Sequence, residues 1–469
     1  MGSAQLRAAG SGQRATGSGQ RTTDFGHRTV WLLPLFSALA RVAARVYYRV
    51  RFAGPPVPAA GPVLLVANHP NSLLDPTLVV ASAERPVRFL AKAPLFTDRK
   101  IGWLVKAAGA IPVYRRSDDP ALMSRNEDAF RAVFQVLGDG AAVGIFPEGI
   151  SHSDSSIAPL KTGAARIALG AATIIGKTFP IVPVGLSFRE KDIFRSEALV
   201  VRGAPIAWDD LLIAGTDDAK AVRGLTARID ASLRAVTLNL ESWEDRPLVE
   251  CAVRIWEAER HEPSREAERL ARLEFTTGVL AQVRLTGDAS GLTLADDVRS
   301  HDARLKRFNL RPADLAADVG TGTGIRWAAR RLHLLIPIGL VFAALGAALF
   351  WVPYWLTGAV VDRLRLEQDT RSTWKLLVGM VLYALWLVLL VVIVAVMAGT
   401  AAALAALVLI PAIAMTGLVV RERWRSAWSD ARRFFLLRAR TSMIETLRAR
   451  QRLLASRLDD LLEKYAAPQ

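Results

Sequence analysis

The sequence predicts an α/β domain with helices around a mainly parallel sheet, followed by a helical region and C-terminal transmembrane helices. Three observations lead to this prediction. Short apolar segments alternate with helical patterns over residues 50–210, amphipathic charged segments without strand signals fill residues 211–325, and long uncharged runs occupy residues 326–420. Such alternation is typical of a sheet covered on both faces, and about 20 apolar residues suffice to cross a bilayer.

Composition narrows the class of protein. The chain has 469 residues, of which 51% are hydrophobic, and a formal net charge of +16. This charge fits a surface that faces anionic lipid or a phosphorylated substrate as well as it fits nucleic acid. The single cysteine, Cys251, excludes an intramolecular disulfide and any CxxC site. The six histidines lack HxH or HExxH spacing, which argues against a histidine-built metal centre.

The N-terminus separates into two segments before the α/β domain. Residues 1–28 are basic and of low complexity, which predicts disorder. In residues 29–49 the apolar run has only 11 residues, and arginines then recur every four positions at 41, 45 and 49. This pattern predicts an interfacial amphipathic helix rather than a membrane span.

The α/β domain contains six strand candidates and two clear helices. Their length, apolar character and β-branched content identify the strands, and glycine signals mark the helix ends. The strand candidates are residues 62–68, 87–92, 110–115, 141–147, 179–188 and 198–203, and the helices are residues 120–140 and 163–176.

The apolar C-terminal part predicts a membrane hairpin. Residues 376–420 carry no charge and are too many for one helix, and the small-residue segment MAGTAAA interrupts them. We therefore expect two helices, at 376–397 and 401–420. The earlier uncharged run, 334–361, contains Pro337 and Pro353 and is either a third span or a re-entrant segment.

Loop charge favours a particular topology. Arginines cluster at 326–331 and again in the tail 421–469, which we expect to be helical. If both clusters lie in the cytoplasm, an even number of crossings separates them. This favours the re-entrant alternative for 334–361, with three full spans as the other possibility. An integral membrane protein with its α/β domain on the cytoplasmic face is the expected arrangement.

The segment VANHPNSLLDP (66–76) raises the first candidate for catalysis. His69 follows a buried-type strand, so its ring is expected at the carboxyl edge of the sheet, where a histidine can act as general base. Asp75 lies six residues later, a separation that puts two side chains on different faces of a helix. The pair therefore works only if a turn precedes the helix, with Asn71 or Ser72 as N-cap. The alternative is an ordinary first-turn acid beside a loop histidine.

Later segments supply further candidates. Arg115 ends the strand of GAIPVYRR and could grip phosphate, or it could be an ordinary surface charge. Glu148 and Gly149 follow the strand of GIFPEGISHSD, where glutamate can bind hydroxyls and glycine admits a ligand to the backbone, although a helix-capping turn is the alternative. Lys161 is a further phosphate candidate. For His152 a structural or ligand-orienting role is favoured over a catalytic one.

The blocks NHPNSLLDP, GAIPVYRR, FPEGISHSD with PLKTG, and IVPVG resemble, in order and spacing, the four blocks of the glycerolipid acyltransferase family. The resemblance covers residues 50–210. Most members place four residues between the histidine and the aspartate, whereas five stand here. In that respect the chain is similar to the fungal-type glycerol-3-phosphate and dihydroxyacetone-phosphate acyltransferases, as it is in its ISHSD and PLKTG runs.

The resemblance implies transfer of an acyl group from acyl-CoA or acyl carrier protein to a phosphorylated glycerol acceptor. It implies that His69 is the base and Asp75 its orienting partner, and that Arg115, Glu148 and Gly149 bind the acceptor. A thioester is already activated, so no cofactor or metal is expected. Membrane lipids, the acyl thioester donor and the phosphorylated acceptor are the expected partners, and nucleic acid is not. Lysophosphatidate acylation and a catalytically dead lipid-binding scaffold are the alternatives.

Overall fold

Seven strands form one sheet in the part of the chain that the computed structural model describes, residues 33–99, 102–114, 126–212, 215–260, 265–316, 335–364, 366–439 and 441–466. The strands are β1 (Arg49–Ala53), β2 (Val63–Ala67), β3 (Val87–Lys92), β4 (Ile111–Val113), β5 (Ala142–Ile145), β6 (Ile181–Phe188) and β7 (Glu197–Arg202). Their order is β1-β7-β6-β2-β5-β3-β4. Only the β6 and β7 pair is antiparallel. The predicted mainly parallel sheet is confirmed.

Five of these strands fall within the predicted segments, and β7 begins one residue before the segment predicted for it. The strand β1 was not predicted, because its sequence RVRFA alternates arginine with apolar residues and lies directly after the predicted helix. It pairs with β7 at the edge of the sheet, a position where one face of a strand stays in water.

Helices cover both faces of this sheet and make up most of the described chain after it. They are α1 (Leu33–Tyr47), α2 (Leu74–Ala83), α3 (Pro94–Thr97), α4 (Gly102–Ala107), α5 (Asn126–Gly138), α6 (Gly163–Ile175), α7 (Ala219–Arg234), α8 (Arg246–Arg260), α9 (Glu266–Thr286), α10 (Ala289–Arg307), α11 (Pro312–Ala316), α12 (Leu335–Arg363), α13 (Gln368–Ala398), α14 (Thr400–Ala439) and α15 (Thr441–Ala466).

The core of the domain lies on both sides of β2, whose residues are all buried. Because side chains alternate along a strand, Leu64 faces the cluster formed with α5, α6 and α7, and Leu65 faces the cluster formed with α1 and α2. Helix α1 packs on α2 through Ala44 but leaves Leu39 more than half exposed. This amphipathic arrangement is compatible with the expected interfacial helix, which stays a prediction. The expected disordered segment 1–28 lies outside the described residues.

The helical region and the tail pack together. Leu454 and Leu458 of α15 share an apolar cluster with Leu248 of α8 and Val298 of α10. At the other end of α15, Leu447 packs with Leu315 of α11. Helix α11 precedes the apolar C-terminal helices and α15 follows them, so both flanks of this part lie on one side of it.

Three described helices are long and apolar enough to cross a membrane: Val341–Arg363, Gln368–Ala398 and Thr400–Ala439. Helices α13 and α14 meet at Gly399 and correspond to the predicted hairpin. Both return to the α/β domain, since Lys375 of α13 donates to the carbonyl of Asp192 at 2.5 Å and Glu422 of α14 pairs with Arg195.

Helix α12 begins and ends near the domain-facing ends of this hairpin. A Cβ on Gly339, near its start, would contact Val420, and Asp362, at its end, pairs with Arg371. Between them the carbonyl of Leu349 accepts a hydrogen bond of 2.7 Å from the indole of Trp386, in the middle of α13. These contacts support the re-entrant alternative for 334–361, which stays a prediction.

Candidate functional site

Three neighbouring strands, β6, β2 and β5, end at the same edge of the sheet. They are parallel to one another, with β2 between the other two. His69 follows the end of β2, Glu148 the end of β5 and Lys191 the end of β6. The carboxyl edge of a parallel sheet is where α/β folds gather their reacting groups, and this edge carries the candidate site.

His69 and Asp75 are in direct contact. The chain turns between them, and α2 begins at Leu74, so Asp75 lies in the first turn of the helix and reaches back. The distance from His69 Nδ1 to Asp75 Oδ2 is 2.8 Å. The backbone N–H of Asn71 donates to the same oxygen at 2.6 Å. The turn that the spacing requires is therefore present.

The predicted helix cap was wrong. Leu73 holds the N-cap position, without a side-chain hydrogen bond. The side chain of Asn71 is buried and donates instead to the hydroxyl of Tyr48 at 2.7 Å. Ser72 has a positive φ of 46°. The helix thus begins later than predicted, and Asn71 belongs to the turn, where its backbone N–H binds Asp75.

The environment of the pair favours the tautomer of His69 that can act as a base. Asp75 is fully buried. Burial raises its pKa, while the hydrogen bonds from His69 and from the N–H of Asn71 oppose that rise. A neutral His69 that donates from Nδ1 to this carboxylate holds its lone pair at Nε2. Within the described residues Nε2 has no hydrogen-bond partner, so it is open to a substrate hydroxyl.

Phe146 fixes the plane of the imidazole. The two rings stack with their centroids 4.0 Å apart and their planes 8° apart. Phe146 follows β5 directly, as the phenylalanine of FPEG. The sequence indicated an apolar strand end here but no contact with His69.

The Glu148 carboxylate binds the protein on both of its oxygens. Its Oε1 accepts from the backbone N–H of His69 at 2.8 Å, and its Oε2 accepts from the N–H of Ala158 at 2.8 Å and pairs with Nε2 of His152. The backbone N–H of His152 donates to the carbonyl of His69 at 3.2 Å. Glu148 is buried. These contacts make it a positioning residue for the His69 turn, and its predicted role in acceptor binding stays a prediction.

Of the remaining predicted site residues, Gly149 and Lys161 contact each other. Gly149 has a positive φ of 73°, and a Cβ at this position would lie 2.6 Å from Lys161 Nζ, so the lysine packs on the FPEG turn while staying exposed. Arg115 lies outside the described residues. The structure therefore brings together His69, Asp75, Glu148, Gly149 and Lys161 and does not place Arg115.

A cleft opens beside His69, and part of its lining was not predicted. It is lined by His69, Glu148 and His152 from the predicted blocks and by Lys191, Trp243 and Arg246 from later in the chain. Trp243 and Arg246 belong to the helical region, for which the sequence suggested no chemistry. In the described part of the chain no group of three or more His, Cys, Asp and Glu residues is arranged to hold a metal ion.

Comparison with known proteins shows what the α/β domain is similar to. Residues 49–187 match the family model described as Acyltransferase. Glycerol-3-phosphate O-acyltransferase 2 of Saccharomyces cerevisiae is 35% identical over 28% of this chain and 18% of its own length. Glycerol-3-phosphate O-acyltransferase 1 of the same yeast is 25% identical over 55% of this chain and 36% of its own length.

A chloroplastic 1-acyl-sn-glycerol-3-phosphate acyltransferase of Brassica napus is 32% identical over 27% of this chain and 33% of its own length. The chain thus spans little more than a third, at most, of these three relatives. A crystal structure of the 1-acyl-sn-glycerophosphate acyltransferase of Thermotoga maritima aligns with a TM-score of 0.33 and 19% identity, over 44% of this chain and 78% of that one. The fold assignment rests on the strand order described above.

Proposed function

We propose that the chain is a membrane-bound O-acyltransferase, because residues 49–187 match the acyltransferase family model. It moves a fatty acyl group from a thioester, acyl-CoA or acyl carrier protein, to glycerol 3-phosphate or dihydroxyacetone phosphate. The observation that supports this best is the His69 and Asp75 pair, with His69 lining the cleft. The two yeast relatives, which are named for glycerol 3-phosphate, support the choice of acceptor.

The chemistry needs one base and a cleft that holds two substrates. Nε2 of His69 takes the proton of the acceptor hydroxyl while that oxygen attacks the thioester carbonyl. The buried carboxylate of Asp75 stabilises the imidazolium that forms. The tetrahedral intermediate then collapses, the C–S bond breaks, and the leaving thiolate takes the proton back from His69. An ester and a free thiol result, and the histidine returns to its starting state.

Acylation of lysophosphatidate at its second hydroxyl is the other enzymatic candidate, and the Brassica relative, named for that acceptor, favours it. The same base and the same phosphate contacts would serve both reactions. A catalytically dead scaffold is disfavoured, because His69, Asp75 and Glu148 are all present and joined by hydrogen bonds.

An acceptor panel tests this proposal. Full-length protein in lipid nanodiscs is supplied with acyl-CoA and radiolabelled glycerol 3-phosphate, dihydroxyacetone phosphate or lysophosphatidate. We expect labelled lipid from at least one acceptor and a loss of rate on the order of 10²-fold or more in His69→Ala. His27→Ala, in the predicted disordered N-terminus, is the matched control and should keep full activity. No product with any acceptor, or full activity in His69→Ala, would refute the proposal.

We further propose that the catalytic domain faces the cytoplasm and that the membrane region crosses the bilayer twice. Cysteine labelling tests this topology, and Cys251 contributes little background because it is buried and its pKa is raised to about 12. With an impermeant maleimide on intact spheroplasts, Thr400→Cys at the hairpin tip should react, whereas Thr323→Cys and Arg452→Cys should react only after permeabilisation. Opposite accessibility of the last two would indicate three crossings instead.

A further inference from the structure

Lys191 lies in the cleft with the candidate base but outside the four sequence blocks. It follows β6 by three residues, at the edge where β2 delivers His69. Lys191, His69 and Glu148 line the same cleft. A cation at this point is within reach of a ligand bound at His69.

The ammonium group of Lys191 is buried and unsatisfied. Its Nζ has almost no solvent contact and no hydrogen-bond partner among the described residues. Burial lowers the pKa of Lys191, and the negative charges of Asp75, Asp369 and Asp154 oppose that shift. A buried ammonium without a partner is unfavourable unless an anion joins it.

The neighbouring cation, Arg246, already donates two hydrogen bonds to the protein. Lys191 Nζ and the Arg246 guanidinium lie 5.8 Å and 5.9 Å from the centre of the Trp243 ring. Arg246 donates to the carbonyl of Phe188 at 2.6 Å and to Glu250 at 2.8 Å. Arg246 therefore adds positive charge but is tied to the protein by two of its five N–H donors, whereas no described residue accepts a hydrogen bond from Lys191 Nζ.

The membrane helices hold the backbone of Lys191 in place. Its carbonyl accepts hydrogen bonds from the hydroxyl of Tyr48 and, at 2.9 Å, from Ser372 in the first turns of α13. Four residues later Arg195 donates to both oxygens of Glu422 on α14, at 2.6 and 2.9 Å. The loop is thus fixed from both arms of the hairpin, so that its side chain is preorganised for a ligand.

We propose that Lys191 binds the phosphomonoester of the acceptor and that the docked membrane hairpin keeps it in position to do so. This inference rests on the proposed function and adds to it a residue that determines specificity for phosphorylated acceptors. The ammonium supplies up to three donors to phosphate oxygens, while the acceptor hydroxyl reaches Nε2 of His69. The phosphates of an acyl-CoA donor share this chemistry, so the test separates the two substrates.

The test compares Lys191→Met with Lys191→Arg in the full chain, with Lys177→Met as the matched control. Lys177 is exposed and precedes β6, at the opposite edge of the sheet. We expect the KM for glycerol 3-phosphate to rise about tenfold or more in Lys191→Met and to recover in part in Lys191→Arg. The KM for acyl-CoA and the melting temperature should stay close to those of the wild type. The wild-type preference for glycerol 3-phosphate over unphosphorylated glycerol should shrink in Lys191→Met.

Three outcomes would overturn this inference. They are a rise in the KM for acyl-CoA alone, a loss of kcat with both KM values unchanged, and a phosphate preference that Lys191→Met leaves intact. Calorimetric titration with glycerol 3-phosphate keeps the test independent of turnover. If the wild type binds glycerol 3-phosphate but acylates none of the three acceptors, the proposed function fails while the Lys191 site stands, and equal binding by Lys191→Met refutes the site.

Discussion

The two sides of the cleft are built in different ways. The base side joins two segments that follow adjacent strands, and His69 contacts Asp75, Phe146 and Glu148 directly. On the cation side, Lys191 owes its position to Tyr48, Ser372 and, through Arg195, Glu422, which come from three distant parts of the chain. The direct contacts of the candidate base thus lie within the α/β domain, and the hairpin reaches this side only at the turn, where Thr373 accepts from the N–H of Leu73 at 3.1 Å. The loop of Lys191, in contrast, is bonded directly by both arms of the hairpin.

Replacing Asp75 by asparagine should have the largest effect and should fall on the base side alone. The amide cannot stabilise the imidazolium, so we expect kcat to fall on the order of 10²-fold or more. The KM for the acceptor should change little. Steady-state kinetics of Asp75→Asn beside Asp296→Asn, a surface change on α10, measure this. If KM rose while kcat held, the division between the two sides would be wrong.

Weakening the hairpin contact should have a smaller effect, on the cation side. In Glu422→Gln the ion pair with Arg195 is lost and the loop of Lys191 is held less firmly. We expect the KM for the acceptor to rise about three- to tenfold, with kcat nearly unchanged. Glu445→Gln, at an exposed position of α15, is the control. An effect on kcat of the same size as that of Asp75→Asn would show that the hairpin positions the base as well.

The smallest expected effect is on stability and concerns the contact of Glu274, in the helical region, with the segment that binds the loop after FPEG. Glu274 of α9 accepts from the backbone N–H of Asn239 at 2.5 Å, and Asn239 accepts from the N–H of Ile157 in the loop after FPEG. Burial raises the pKa of Glu274 to about 7. The folded state then binds a proton more tightly than the unfolded state does, so the free energy of unfolding should fall as pH rises from about 4.5 to about 7.

Thermal unfolding across this pH range tests that contribution. Glu274→Gln keeps an acceptor for Asn239 but cannot titrate, so its melting temperature should fall less than that of the wild type between pH 4.5 and 7. Parallel curves for the two proteins would contradict the raised pKa. The kinetic constants at pH 7.5 should be nearly the same for both.

The sequence predicted most of the sheet and the base side of the cleft for related reasons. Central strands such as β2 are buried on both faces, so they read as continuous apolar runs. The contact between His69 and Asp75 was one of two alternatives that the local spacing left open, and it required a turn before the helix. The edge strand β1 was not predicted, because arginines interrupt its apolar pattern.

The cation side could not be predicted, because its chemistry arises from burial and not from a local pattern. Lys191 lies in a charged loop, FREKDIFR, in which nothing distinguishes one cation from the next. Only the fold distinguishes its Nζ, because this atom is buried and has no hydrogen-bond partner among the described residues. Trp243 and Arg246 were missed for the same reason, since they reach the cleft from a region that reads as plain amphipathic helix.

The contact between Trp386 and Leu349 bears on how the chain enters the membrane. Pro353 lies four residues after Leu349, so it removes the backbone donor that the Leu349 carbonyl would otherwise bind. The indole of Trp386 replaces that donor, but it is synthesised 37 residues after Leu349. Until it arrives, the carbonyl is exposed to hydrocarbon without a partner, which is strongly unfavourable. Helix α12 should therefore reach its final conformation only after the hairpin has been inserted. It is the first of the three apolar helices to be synthesised but the last to complete its folding.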